Sequence, residues 1–213
     1  MGKDTTNIQK ICLTELHCAG PIAAFVEFSK FDHIILDPCE HYKKGTWRNR
    51  YLIAGPNRIL SLSIPLRKGK NYQKRIKDIP IAYDETWQQK HINAIKTAYG
   101  KSAFFEDYSP ELFDILSSDF ITLWELNYSL FQFICQCLQW GKTISTIETC
   151  TVKMTNFEDL RNCFTPKITD HSVSYSYNQV FMDKHGFRSG LSVLDLIFCC
   201  GPESGLLLIE FYQ

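Results

Sequence analysis

The chain has 213 residues, is 45% apolar and balances 23 basic against 23 acidic side chains, with a pI near 7.0. That length supports a sizeable core in one domain, and the neutral balance argues against a nucleic-acid binder, as does the lack of zinc-finger spacing, a basic zipper or an RNA-binding aromatic signature. The polar start "MGKDTTNIQ" reads as neither signal peptide nor anchor. The longest uncharged stretch, 126–141, carries Asn127, Gln132, Gln136 and Gln139 and excludes a membrane span, so the expectation is a cytoplasmic protein. Nine cysteines without a Cys-x-x-Cys pair read as reduced thiols.

In chain order, residues 1–9 read as a flexible N-terminal tail and 10–213 as a single domain. The apolar run 11–16, the turn "HCAGP", an apolar segment 22–31 and "HIILD" predict strand, turn, short helix and strand, a βαβ-like crossover with a parallel pair. The stretch "YKKGTWRNRY", 42–51, reads as extended, with Lys44, Thr46, Arg48 and Arg50 on one face and Trp47, Asn49 and Tyr51 on the other. "YLIAGPNRILSLSIPL" then predicts a hairpin about Gly55-Pro56-Asn57, followed by a basic exposed loop, 67–77, and a short edge strand in "IKDIPIAY". Between His41 and Lys77 stand eleven Lys and Arg and no Asp or Glu, a local field that draws anionic small molecules.

Helices follow. Thr86 with Gln89 opens one that Gly100 closes, with Trp87 and His91 on its apolar stripe; Ser109-Pro110-Glu111 starts a second; Thr122 with Glu125 caps a third running to about Trp140. Strand-like pieces occur near 144–152 and 173–182. Ser192 with Asp195 opens a last helix that ends at Gly201-Pro202, and "LLLIEF" reads as a final strand. The fold class is therefore α/β: a single domain with a mixed β-sheet, built from the N-terminal βαβ-like unit and the hairpin, packed by several α-helices.

Four blocks, "EHYKKGTWRNRYLIAGPN", "IKDIPI", "WQQKHINAIKTAYGKSAFFEDY" and "QVFMDKHGFRSGLSVLDLIFCCGPES", resemble in this order those of the WbqC-like protein family, from about Glu15 to Leu207. The resemblance implies a role in O-antigen or other surface-polysaccharide assembly, as a transferase moving an aminoacyl (glycyl) or acyl group onto an amino sugar or nucleotide sugar. Cys18 and Cys199 depart from the family pattern.

Such a reaction needs a base, oxyanion donors and cations for a phosphorylated ligand. His91 is the expected base, Asn49 an oxyanion donor and Asp195 an orienting group. Lys44, Arg48 and Arg50 are the expected phosphate ligands, with Glu40, Tyr42, Trp87 and Tyr99 completing the substrate wall. Each has a plainer account: a core histidine, a helix-capping Asp195, ion pairs between Glu40 and the arginines, aromatic packing. Cys18 offers a covalent route if its thiol is activated. Cys39, His41 and His33 give only a weak zinc pattern, so no metal or cofactor is expected. The rival reading is a non-catalytic module binding a nucleotide sugar or another phosphorylated ligand, or scaffolding biosynthetic partners. Nothing in the sequence fixes the oligomeric state.

Overall fold

The computed structural model describes residues 9–147, 156–166 and 175–212. Strand β1 (Ile11–Thr14), helix α1 (Ile22–Phe28) and β2 (His33–Leu36) form the expected crossover, with β1 and β2 parallel and Ile11 opposite His33. Every residue of α1 except Glu27 is buried, so the sheet gains a continuous apolar cover on that side. β5 (Thr143–Thr146) joins β2 and β6 (Glu158–Asp159) joins β1, both parallel, giving a four-stranded sheet of order β5-β2-β1-β6.

The hairpin forms as read, from β3 (Arg50–Ala54) and β4 (Ile59–Ser63). It makes its own two-stranded sheet instead of joining the first, so the expected mixed sheet resolves into a parallel and an antiparallel one within one α/β domain. α2 (Trp87–Tyr99), α3 (Phe105–Ser117) and α4 (Leu123–Cys137) pack in succession, followed by the short α5 (Met182–His185), α6 (Val193–Cys200) and α7 (Ser204–Glu210). No described helix is long and apolar enough to cross a membrane.

Several expectations are corrected. Residues 42–51 do not form one extended ribbon: Trp47–Asn49 is a 3-10 turn and the strand begins only at Arg50. Face alternation therefore fails, and Thr46 and Arg48 are buried while Lys44 is exposed. Around Pro80 only isolated bridges form, Pro80 with Thr122 and Ile81 with Leu66, because proline has no N–H to extend a ladder. α3 starts at Phe105, before the expected cap, with Glu106 and Asp107 in its first turn. Pro110 is tolerated inside it because the bond it forfeits belongs to the carbonyl of exposed Glu106.

Thr86 makes no side-chain cap, whereas the Thr122–Glu125 capping box is complete; α4 ends at Cys137, short of Trp140. The tail "LLLIEF" is helical: Ser204, Gly205 and Leu208 face inward at helical spacing, and Gly205 lets the helix rest on the Leu138 carbonyl, which an added Cβ would meet at 2.2 Å. Residues 175–181 carry no strand; of the rest of the two pieces near 144–152 and 173–182, 144–146 belong to β5, Ile147 is irregular, Met182 opens α5 and the others lie outside the described residues. Cys39 is disulfide-bonded, against the expectation of nine reduced thiols; seven of the described cysteines are free.

Candidate functional site

The parallel strands run to a common carboxyl edge, where three of them end in polar residues: Glu15 and His17 after β1, Asp37 after β2, Arg161 and Asn162 after β6. The chain leaves β1 toward β2 on one side, while β6 flanks β1 on the other, so Glu15 and Asn162 border the point where the order of strands reverses. Ligands of open α/β sheets bind at such a point.

Local sequence holds this edge in shape. "HCAGP" turns sharply, with Ala19 at φ 41°, and Gly20 lies so close to His17 that an added Cβ would meet the ring at 2.9 Å. Ser192 ties the turn to α6, donating to the Ala19 carbonyl at 2.6 Å and accepting from Leu194 N at 3.2 Å. The Cys18 amide donates to the Trp47 carbonyl at 2.9 Å, bringing the 3-10 turn and its Arg48 over the strand end. Asn127 of α4 clamps that turn through a 2.7 Å bond to the Arg48 carbonyl.

Arg48 is wholly buried. It makes a two-pronged contact with Glu40, from Nε to Oε1 at 2.7 Å and from Nη2 to Oε2, lies 3.6 Å from Glu15 Oε1, and donates to Asn162 Oδ1 at 3.2 Å. Asn162, a left-handed residue at φ 65°, donates its backbone N–H to Glu15 Oε2 at 2.8 Å. His17 Nε2 stands 3.3 Å from Glu15 Oε1, with its ring between Phe28 and Phe164. Arg161 bridges Asp37 and Asp159, each at 2.7 Å.

The carboxyls of this cluster are driven apart. Burial works to raise Glu15, but His17, Arg48 and the Asn162 amide outweigh it and hold the group at about 2. Burial raises Glu40, helped by the charges of Glu15 and Asp37 and only partly opposed by Arg48. A cavity of about 290 Å³, lined by Glu40, His41, Lys43, Asp159, Arg161 and Asn162, opens over the cluster.

On the other side of the 40–44 segment lies a larger groove of about 540 Å³, lined by Tyr42, Lys44, Asn49, Arg67, Lys68 and Tyr72 among others. Side chains of the segment thus divide between two cavities, with Glu40, His41 and Lys43 lining one and Tyr42 and Lys44 the other. Asn49 holds the groove wall, accepting from Tyr42 Oη at 3.1 Å and donating to the Ile64 carbonyl at 2.9 Å. Arg50 is half-buried opposite Ser63, and its Nε has no partner.

The remaining expected residues sit elsewhere. His91 is buried beneath the hairpin: its Nδ1 lies 3.0 Å from Tyr51 Oη, the Ser63 backbone supplies a second hydrogen bond, and Trp87 packs edge-on at 5.2 Å. Burial lowers its pKa to about 4, so the ring is neutral at pH 7. Asp195 does not return to the Ser192 amide, which donates to the Leu52 carbonyl; it accepts from Tyr177 Oη and, at 3.0 Å, from Gln179 Nε2, and burial raises it. Tyr99 is buried, its hydroxyl taking the Ala54 amide at 3.1 Å. The α2 and α6 helices both pack on β3, yet His91 and Asp195 have separate partners.

Cys18 is fully buried and burial raises its thiol, which opposes a reactive thiolate. Of the weak zinc pattern, His33 is bonded to Ser145 at 2.7 Å and Cys39 is in its disulfide. Sequence reasoning missed Glu15, Asp37, Arg161 and Asn162 because they are dispersed along the chain. A polar residue just beyond an apolar parallel strand is the signal Glu15 and Asp37 share; Arg161 and Asn162 follow the acidic two-residue β6 and lack it.

Fold and site together define an α/β protein with a cation-lined groove beside a buried carboxylate–imidazole–guanidinium cluster. Residues 22–164 match the model of the WbqC-like protein family, and the chain belongs to that family. The match includes Arg48 and His91; Glu15, His17 and the Asp195 block lie outside it. No curated protein and no solved structure matches the chain.

Proposed function

We propose that this chain is a cytoplasmic transferase of surface-polysaccharide assembly, of the O-antigen type, which moves an aminoacyl or acyl group onto an amino sugar and holds a phosphorylated donor or nucleotide sugar in the basic groove. The observation that carries the reading is the groove itself. Lys44, Arg67 and Lys68 provide cations, and Tyr42 and Tyr72 provide ring faces over a floor of Ile64, Pro65 and Leu66. Cations meet a phosphate while rings and an apolar floor take a base or sugar, which is the division a nucleotide sugar requires.

A nucleoside diphosphate such as UDP is the probe. Calorimetry should detect its binding, and replacing Lys44, Arg67 and Lys68 together by alanine should weaken it at least tenfold, about 1.4 kcal/mol. Unchanged affinity in the triple variant would sink the groove assignment. Product mass after incubation with amino-sugar nucleotides and activated acyl donors then tests transfer.

One observation favours the second reading, a non-catalytic binding module: His91, the expected base, is engaged with Tyr51 and Ser63 in the core. That reading expects UDP to bind and no product to form.

A further inference from the structure

Eight exposed cations gather around one loop. Residues 67–77 contribute Arg67, Lys68, Lys70, Lys74, Arg75 and Lys77. Backbone bonds fold this loop back on the 40–44 segment, from Tyr42 N to the Lys74 carbonyl at 3.0 Å and from Ile76 N to the Glu40 carbonyl at 2.8 Å, with His41 bridged to Arg75. Exposed Lys43 and Lys44 follow that pairing directly and so stand beside the loop. Among the described residues none of the eight enters an ion pair.

The charge of the chain is also lopsided. Residues 41–77 hold eleven basic and no acidic side chains, which leaves twelve basic against twenty-three acidic for the rest. A neutral protein divided in this way is drawn to an anionic surface by one part and repelled by the remainder, so it lands in one orientation. Tyr72 specifies the surface. It is the middle residue of the 3-10 turn Asn71–Gln73, is 63% exposed, and has Lys70 and Lys74 on either side. An amphipathic ring set among cations suits a lipid headgroup layer, in which tyrosine rests at the interface and lysine ammonium groups meet phosphates. Six of the eight cations are lysines, a residue type depleted from protein–protein interfaces. A nucleic acid running on past the loop would meet the acidic remainder, whereas a flat bilayer touches the loop alone.

We propose that the 67–77 loop, with Lys43 and Lys44, docks the protein peripherally on an anionic bilayer, Tyr72 seated among the headgroups. Lys70, Lys74, Arg75 and Lys77 lie outside the lining of the basic groove, so docking and nucleotide binding are separable. The groove opens beside the same loop through Arg67, Lys68 and Tyr72, and docking therefore holds it at the membrane face.

Co-sedimentation of the full chain with vesicles tests this. The protein should pellet with mixed phosphatidylglycerol and phosphatidylcholine vesicles, stay in solution with phosphatidylcholine alone, and be released by molar salt, which shortens the screening length to about 3 Å. Replacing Lys70, Lys74 and Lys77 together by glutamate should weaken the partition by roughly a hundredfold, with circular dichroism and UDP affinity unchanged. Tyr72→Ala should weaken it several-fold. Equal pelleting with neutral vesicles, no pelleting at all, or undiminished binding by either variant overturns the docking face. So does duplex DNA that strips the protein from the vesicles at equal phosphate concentration. UDP binding that persists in any of these cases leaves the groove assignment standing.

Discussion

Arg48 shows how one buried side chain can tie several parts of a fold together. Its guanidinium is fully buried between Glu40 and Glu15, so its removal strips Glu40 of its ion-pair partner and leaves Glu15 with only His17 and the Asn162 amide. Arg48→Leu should cost about 3–5 kcal/mol in urea unfolding, because breaking a buried pair by deleting one partner strands the other charge. His91 is held in a different way. Its folded pKa, about 4, lies below the ordinary 6.5, so the unfolded chain binds the extra proton first. Stability should fall as pH drops from about 6.5 to about 4, by about 3 kcal/mol from this group. In His91→Gln that slope should vanish from acid unfolding curves. Glu15 acts lower down: its folded pKa of about 2 lies below 4.5, so its contribution is full above about 4.5 and is lost as pH falls through 2. Chemistry at these positions was partly legible in the sequence. Closeness in sequence offered Glu40 as an ion-pair partner for Arg48 or Arg50, but whether an arginine meets a ligand or a carboxylate depends on what the fold brings opposite it.

At the scale of elements, patterns with strong local causes were readable and those decided by packing were not. The Thr122–Glu125 box needs only residues three apart, and both of its bonds form. Thr122→Ala should lower stability by about 1 kcal/mol, measured by chemical denaturation. The "HCAGP" turn was legible as a turn, yet its function of pressing His17 toward Glu15 was not. Gly20→Ala would place a methyl 2.9 Å from the imidazole and should displace it, which an NMR shift of the His17 ring would report; an unmoved ring would detach the turn from the site. "LLLIEF" misled because a short apolar run fits strand and helix alike. The helix wins here because inward residues at helical spacing find α1, α6 and the end of α4 to pack against.

Across the whole molecule, the hairpin sheet and the parallel sheet are joined through shared packing and not through a ladder. Cys12, Ile34, Tyr51, Tyr99, Leu130 and Phe198, drawn from both sheets and three helices, belong to one continuous core. Far-UV circular dichroism and tryptophan fluorescence should therefore report a single coincident unfolding transition; separated midpoints would show that the hairpin layer melts by itself. The same assembly places two cavities of different character against one segment, 40–44, which explains how a basic block and a carboxylate-rich cluster occupy adjacent stretches of chain.

Sequence alone determined the α/β class, the parallel crossover, the hairpin and the concentration of positive charge, since each follows from periodicity, turn chemistry or composition within a few tens of residues. Only the tertiary structure decided which charges face solvent and which face each other. Glu15, Arg48 and Asn162 are separated by long stretches of chain and carry no common local pattern. Glu15 and Asn162 meet because the parallel strands β1 and β6 end on the same side of their sheet, and Arg48 joins them because the Cys18 amide ties its 3-10 turn over that edge.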